Sequence, residues 1–123
     1  MHELSICQAL LDQVEQIAHD HGATRVERIL LQVGPLAGVE PALLQHAWPL
    51  AAAGTIAESA ELVIEAAEIR VRCEECGVES HATANRLLCA ACGGFRTRLV
   101  SGDEMLLARL EMAVPDATPE PVA

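Results

Sequence analysis

Four cysteines constrain this chain more than any other residues. Cys73, Cys76, Cys89 and Cys92 form two Cys-x-x-Cys pairs with twelve residues between them, and a glycine follows each pair (Gly77 and Gly93). A hairpin that presents two such pairs sets four soft thiolates at the corners of a tetrahedron, which is the closed geometry of structural zinc. The glycines permit the tight turn that aims backbone amides at the sulfurs. Two disulfides, or four unrelated buried thiols, are the alternatives this spacing argues against.

The rest of the composition narrows the class. The chain has 123 residues, enough for one small α/β core with a metal-stapled module. Five cysteines is an odd number, and no basic leader with an apolar segment opens the chain. A reducing, cytoplasmic setting is therefore expected. No apolar run approaches the ~20 residues needed to span a bilayer. Eight Lys and Arg stand against 18 Asp and Glu, a formal charge of −10. Four thiolates around one zinc ion deepen that charge. An acidic surface with only Trp48 and Phe95 for base stacking argues against nucleic-acid binding, the usual role of a zinc ribbon.

Periodicity lays out the elements. From about Glu3 to His21, Cys7, Leu10, Leu11, Val14, Ile17 and Ala18 recur at helical spacing, with Gly22 placed to cap the end. Ser5 and Gln8 suggest a capping box that leaves Met1 to Leu4 outside the helix. Arg25 to Val33 alternates as a strand. Pro41 opens a second helix toward Ala53, which Pro49 should kink or divide. Two more strands follow, around Leu62 to Ala66 and from Glu104 to Met112. The expected fold is α/β: a small three-stranded mixed sheet with two helices, and an inserted zinc-ribbon-like module carrying the four cysteines. Residues 1–70 and 99–113 would form the α/β domain and 71–98 the zinc domain. The proline-rich residues 114–123 would be a disordered tail.

The first residues have coordination chemistry of their own. If Met1 is retained, its α-amine, the following amide nitrogen and the His2 imidazole form fused chelate rings around one cation. A nitrogen-rich donor set favours Ni(II) or Cu(II). Glu3 offers an oxygen, and also offsets the helix dipole that opposes a cation there.

Longer stretches carry a resemblance. Met-His-Glu-Leu-Ser-Ile at residues 1–6, Gly-Pro-Leu-Ala-Gly-Val-Glu-Pro at 34–41, Gly54-Thr55 and Ala-Glu-Leu-Val-Ile at 60–64 resemble the HypA/HybF family of hydrogenase maturation nickel metallochaperones. So do the two knuckles and Ser-Gly-Asp-Glu-Met at 101–105. The resemblance covers residues 1 to about 113. It implies nickel at Met1 and His2, with Glu3 and Glu40 nearby, and zinc on the four cysteines. It implies a nickel-handling GTPase and the [NiFe]-hydrogenase large-subunit precursor as partners, and a monomer or weak homodimer that is not an enzyme. Two positions depart from the family pattern: Ala90 stands where the second knuckle usually has proline, and Ala37 where serine is common.

Among the remaining residues, Cys7 reads as a small core side chain, Trp48 as core, and His46 as packing or surface. His19 and His21 read as a solvated helix end. His81 lies between the knuckles, suited to a hydrogen bond near the metal rather than to ligation. A zinc-ribbon adaptor that transfers no metal is the competing function. A zinc hydrolase is disfavoured, because four thiolates leave no open coordination position for water.

Overall fold

The first helix, α1 (His2–Asp20), is followed by strand β1 (Arg25–Val33), helix α2 (Pro41–Ala52) and strand β2 (Glu61–Ala66). Three short strands come next, β3 (Arg70–Cys73), β4 (Glu79–His81) and β5 (Thr97–Ser101), and β6 (Met105–Ala113) closes the series. This is a computed structural model that describes residues 2–115; Met1 and most of the expected tail, 116–123, lie outside the described residues.

Two three-stranded sheets result, with strand orders β2-β1-β6 and β4-β3-β5. In the first, the Thr24 amide donates to the Ala113 carbonyl at 2.8 Å and the Gly34 amide to Glu104 at 2.8 Å, so β6 runs against β1. Arg28 pairs with Glu61 at 3.1 Å, and the Ala67 amide reaches the Val33 carbonyl at 3.0 Å. β2 therefore runs with β1, and the sheet is mixed as expected. Joining parallel neighbours requires a crossover, and α2 supplies it.

The chain divides into two compact units. One comprises Met1–Leu31, Glu40–Val63 and Leu107–Ala123; the other comprises Gln32–Val39 and Ile64–Leu106. In the helical unit, Cys7, Leu10, Leu11, Val14 and Ala18 of α1 are buried with Val26, Ile29 and Leu31 of β1 and Leu44, Trp48 and Ala52 of α2. Each large side chain buried there is worth about 1.5–3 kcal/mol over its exposed state. The Cys7 thiol donates to the Leu44 carbonyl at 3.4 Å, which ties α1 to α2.

Two expectations about the helices need correction. α1 starts at His2, so Leu4 and Glu3 belong to its first turn and no capping box at Ser5 delays it. Leu4 is half-buried, and helical geometry is what brings it to a cleft beside Leu43 and Ala47 of α2. α2 is not divided at Pro49 but runs to Ala52. Only three residues follow Pro49 in the helix, so its missing N–H and its ring disturb one turn near the end. The end of α1 does follow the pattern read from Gly22. That residue has φ 67°, and the Ala23 amide closes on the Ala18 carbonyl at 2.9 Å, a Schellman turn.

Candidate metal centre

The second unit is built on β3. Its register pairs Arg70 with His81 and Arg72 with Glu79 on one side, and Arg72 with Arg98 and Cys73 with Thr97 on the other. Strands of three to five residues bury little, and here the exposed face is held by charge. Arg72 meets Glu79 at 2.7 Å, Arg70 meets the same carboxylate at 3.6 Å, and Arg98 meets Glu74 at 3.4 Å. Exposed pairs of this kind are worth ~0–1 kcal/mol each. Ile69 and Val71 supply a small buried centre, 5% and 0% exposed. Such a module needs a further staple.

The two knuckles are built alike. After Cys73 and Cys76, the Gly77 amide returns to the Cys73 carbonyl at 2.9 Å; after Cys89 and Cys92, the Gly93 amide returns to Cys89 at 2.8 Å. Both glycines take positive φ, 78° and 74°, which a side chain would resist. In each knuckle the first sulfur turns into its own amides. Glu75 and Cys76 donate to the Cys73 sulfur at 3.4 Å, and Cys92 donates to the Cys89 sulfur at 3.4 Å. Cys73 and Cys89 are buried, whereas Cys76 and Cys92 are exposed.

All four sulfurs lie within 4.8 Å of one another. Cys73 and Cys92 are 3.6 Å apart, and so are Cys76 and Cys89. A zinc ion with bonds of about 2.3 Å needs a tetrahedral edge of about 3.8 Å. Those two separations lie close to that edge and are far too long for S–S bonds, and all five cysteines are free thiols. Their chemistry is split accordingly. Amide donation from Cys92, outweighing burial, lowers the Cys89 thiol to about 6. The amides of Cys76 and Glu75 lower Cys73. The Gly94 amide pulls Cys92 down, but the neighbouring sulfurs of Cys73 and Cys89 outweigh it and push that thiol up to about 12. Cys76 is raised too: the Val78 amide acts to lower it, against the Cys89 sulfur and desolvation. Four crowded sulfurs cannot all ionise without a cation between them, and a soft dication satisfies all four.

Gly94 escaped the sequence reading. A Cβ there would lie 3.2 Å from the Cys92 sulfur and 3.3 Å from Glu75 Oε1, so a side chain at this second glycine would crowd the cage. The Gly93-Gly94 doublet was the available signal. His81 is not among the clustered ligands. Arg70 approaches its Nε2 at 3.0 Å and Glu68 its Nδ1 at 3.4 Å.

The amino-terminal residues sit in the helical unit. His2 is exposed as the first residue of α1, and Glu3 is half-buried in the same turn. Glu40 is the N-cap residue of α2, exposed and with no side-chain capping bond. Among the described residues, the four cysteines are the only group of three or more His, Cys, Asp or Glu side chains close enough to share an ion. His2, Glu3 and Glu40 do not form a second one.

Two helices and a mixed three-stranded sheet, joined to a ribbon with a four-sulfur cage, define a small metal-handling protein of two units. The chain matches over residues 1–112 the family described as HypA, hydrogenase/urease nickel incorporation, metallochaperone. It belongs to that family of nickel metallochaperones. The hydrogenase maturation factor HypA of Nitrosospira multiformis is 53% identical over 112 residues, 91% of this chain and 97% of that protein. The factor of the same name from Aquifex aeolicus is 40% identical over 114 residues, 93% of this chain and 99% of its own. A solution structure of HypA protein superposes with TM-score 0.70 at 25% identity, over 91% of this chain and 96% of the other. That of the Helicobacter pylori Ni metallochaperone HypA superposes with TM-score 0.69 at 23% identity, covering 91% and 97%, and supports the fold.

Proposed function

We propose that the chain binds Ni(II) at its amino terminus and delivers it to the [NiFe]-hydrogenase large-subunit precursor during maturation, while zinc on Cys73, Cys76, Cys89 and Cys92 holds the second unit in shape. The observation that carries this reading is the family match, which runs from residue 1 and so includes Met1, His2 and Glu3. The donors proposed for nickel are the Met1 amine, the His2 amide and imidazole, and the carboxylates of Glu3 and Glu40. A helix that begins at His2 favours this chemistry, because the first four amides of a helix have no intrahelical partner. An amide nitrogen there can meet a metal without breaking a helical hydrogen bond. Glu40 is likewise uncommitted, since it makes no capping bond to α2.

Zinc and nickel are asked to behave differently. A caged zinc ion contributes on the order of 10 kcal/mol of folding free energy and stays with the chain. Cargo must leave, and an exposed terminus with few protein ligands lets it. The protein acts as a carrier and not as an enzyme, in the cytoplasm, with a nickel-handling GTPase as its co-worker. It works as a monomer or weak homodimer.

The test is nickel titration of zinc-loaded protein with its native first residue, beside His2→Ala and the α-acetylated protein. The expected result is one nickel per wild-type chain, lost in both altered forms while zinc is retained. Equal nickel uptake by wild type and His2→Ala would sink the proposal, and equally poor uptake by both would favour the adaptor reading.

A further inference from the structure

We infer that His46 is a further ligand for the cargo ion, an inference that rests on the amino-terminal nickel reading just given. α1 and α2 leave between them a cleft of ≈ 270 Å³ lined by Glu3, Leu4, Leu43, His46, Ala47 and Leu50. The α2 residues recur at three- and four-residue spacing, so they form one face of that helix. Four of the six lining side chains are apolar. The two that are not, Glu3 and His46, are a carboxylate and an imidazole, an oxygen and a nitrogen donor that both suit Ni(II).

Neither donor is otherwise engaged. Among the described residues, Glu3 and His46 make no hydrogen bond or ion pair, either with each other or with a third group. Glu3 is half-buried where it lines the cleft. The buried Cys7 thiol, one turn along α1, is raised first by burial and then by the Glu3 charge. A divalent cation in the cleft would find Glu3 and His46 as its two polar lining groups. Met1 and His2 directly precede Glu3, so an ion held at the terminus starts one residue from this cleft. His46 would add a nitrogen from a second helix, and so turn a flexible terminal chelate into one anchored to the fold.

The experiment compares zinc-loaded wild type, His46→Gln and His2→Ala, each with its native first residue, by nickel competition titration and by proton NMR of the nickel-loaded protein. His46 is exposed, so His46→Gln should fold as wild type, which retained zinc and an unchanged far-UV spectrum would check. Losing a direct ligand should weaken uptake at least as much as losing a supporting partner does, about 10- to 100-fold. High-spin nickel shifts the exchangeable N–H of each bound imidazole far downfield. Wild type should show such a resonance from each of His2 and His46, and His46→Gln should lack one. The inference is overturned if His46→Gln keeps wild-type affinity and the full set of shifted resonances. Should wild type hold nickel in a diamagnetic square-planar form, the affinity comparison decides, and an unchanged affinity in His46→Gln overturns the inference. Loss of nickel in His2→Ala with no change in His46→Gln removes His46 alone. No change in His2→Ala removes the amino-terminal reading, and this inference with it.

Discussion

Replacing Gly34 by alanine should unfold this protein far more readily than most single-methyl additions. The segment after β1 passes directly over the turn before β6, and a Cβ on Gly34 would collide with the Gly102 carbonyl group and come 2.8 Å from the Asp103 amide nitrogen. All three obstacles are backbone, so no side chain can swing aside. Gly102 cannot retreat, because a Cβ built there lies 2.8 Å from Ile69 Cγ1 and the residue holds φ +124°. Two hydrogen bonds cross at this point, Gly34 to Glu104 at 2.8 Å and Leu36 to Gly102 at 2.7 Å. Overpacking costs about 1–3 kcal/mol and each of the two strained hydrogen bonds about 0.5–1.5, together roughly 2–6 kcal/mol. For a chain of this size that is a fall in Tm of roughly 10–25 °C. The control is Gly38→Ala, where φ is +76° but nothing lies within 4 Å. It carries only the left-handed backbone penalty, about 1–2 kcal/mol. Thermal unfolding of zinc-loaded protein by circular dichroism measures both. If Gly34→Ala melts no lower than Gly38→Ala, the close crossing is wrong.

Burial and charge supply two more tests. Leu44→Ala, at a side chain 1% exposed, should lose about 2–5 kcal/mol of stability in denaturant titration, whereas Leu50→Ala, at 75% exposure, should stay within about 0.5 kcal/mol of wild type. In metal-free protein, the thiols should ionise over a wide range, read as thiolate absorbance. Cys89 is depressed from 9.0 to about 6, so its share of stability is present above the unfolded value and lost as pH falls through about 6. Cys92 is raised from 9.0 to about 12, so its share is present below the unfolded value and lost as pH rises toward 12. A single step near the ordinary thiol value of about 8.5 would contradict the split.

Where burial decided structure, the sequence was legible. Ile29, Leu31 and Val33 alternate in the chain and are buried on β1, whose bounds Arg25–Val33 were readable in full. The four-sulfur cage followed from spacing alone. The ribbon's strands were not legible, because Arg70–Cys73, Glu79–His81 and Thr97–Ser101 have too few residues and too many charges to show an apolar period. Partners decide them instead: Glu79 pairs with Arg70 and Arg72, and Thr97 Oγ1 donates to the Leu87 carbonyl at 2.7 Å. The start of α1 was misplaced because a local capping signal at Ser5 competed with a tertiary one, the meeting of Glu3 and Leu4 with the flank of α2.

Each knuckle keeps one sulfur inside, cradled by amides, and shows the other to solvent. Any oxidant or competing chelator therefore meets Cys76 and Cys92 first. An ion lost by that route would leave behind a buried pair whose thiols ionise more readily than free ones and are screened from damage, able to recapture metal as soon as the outer pair is restored.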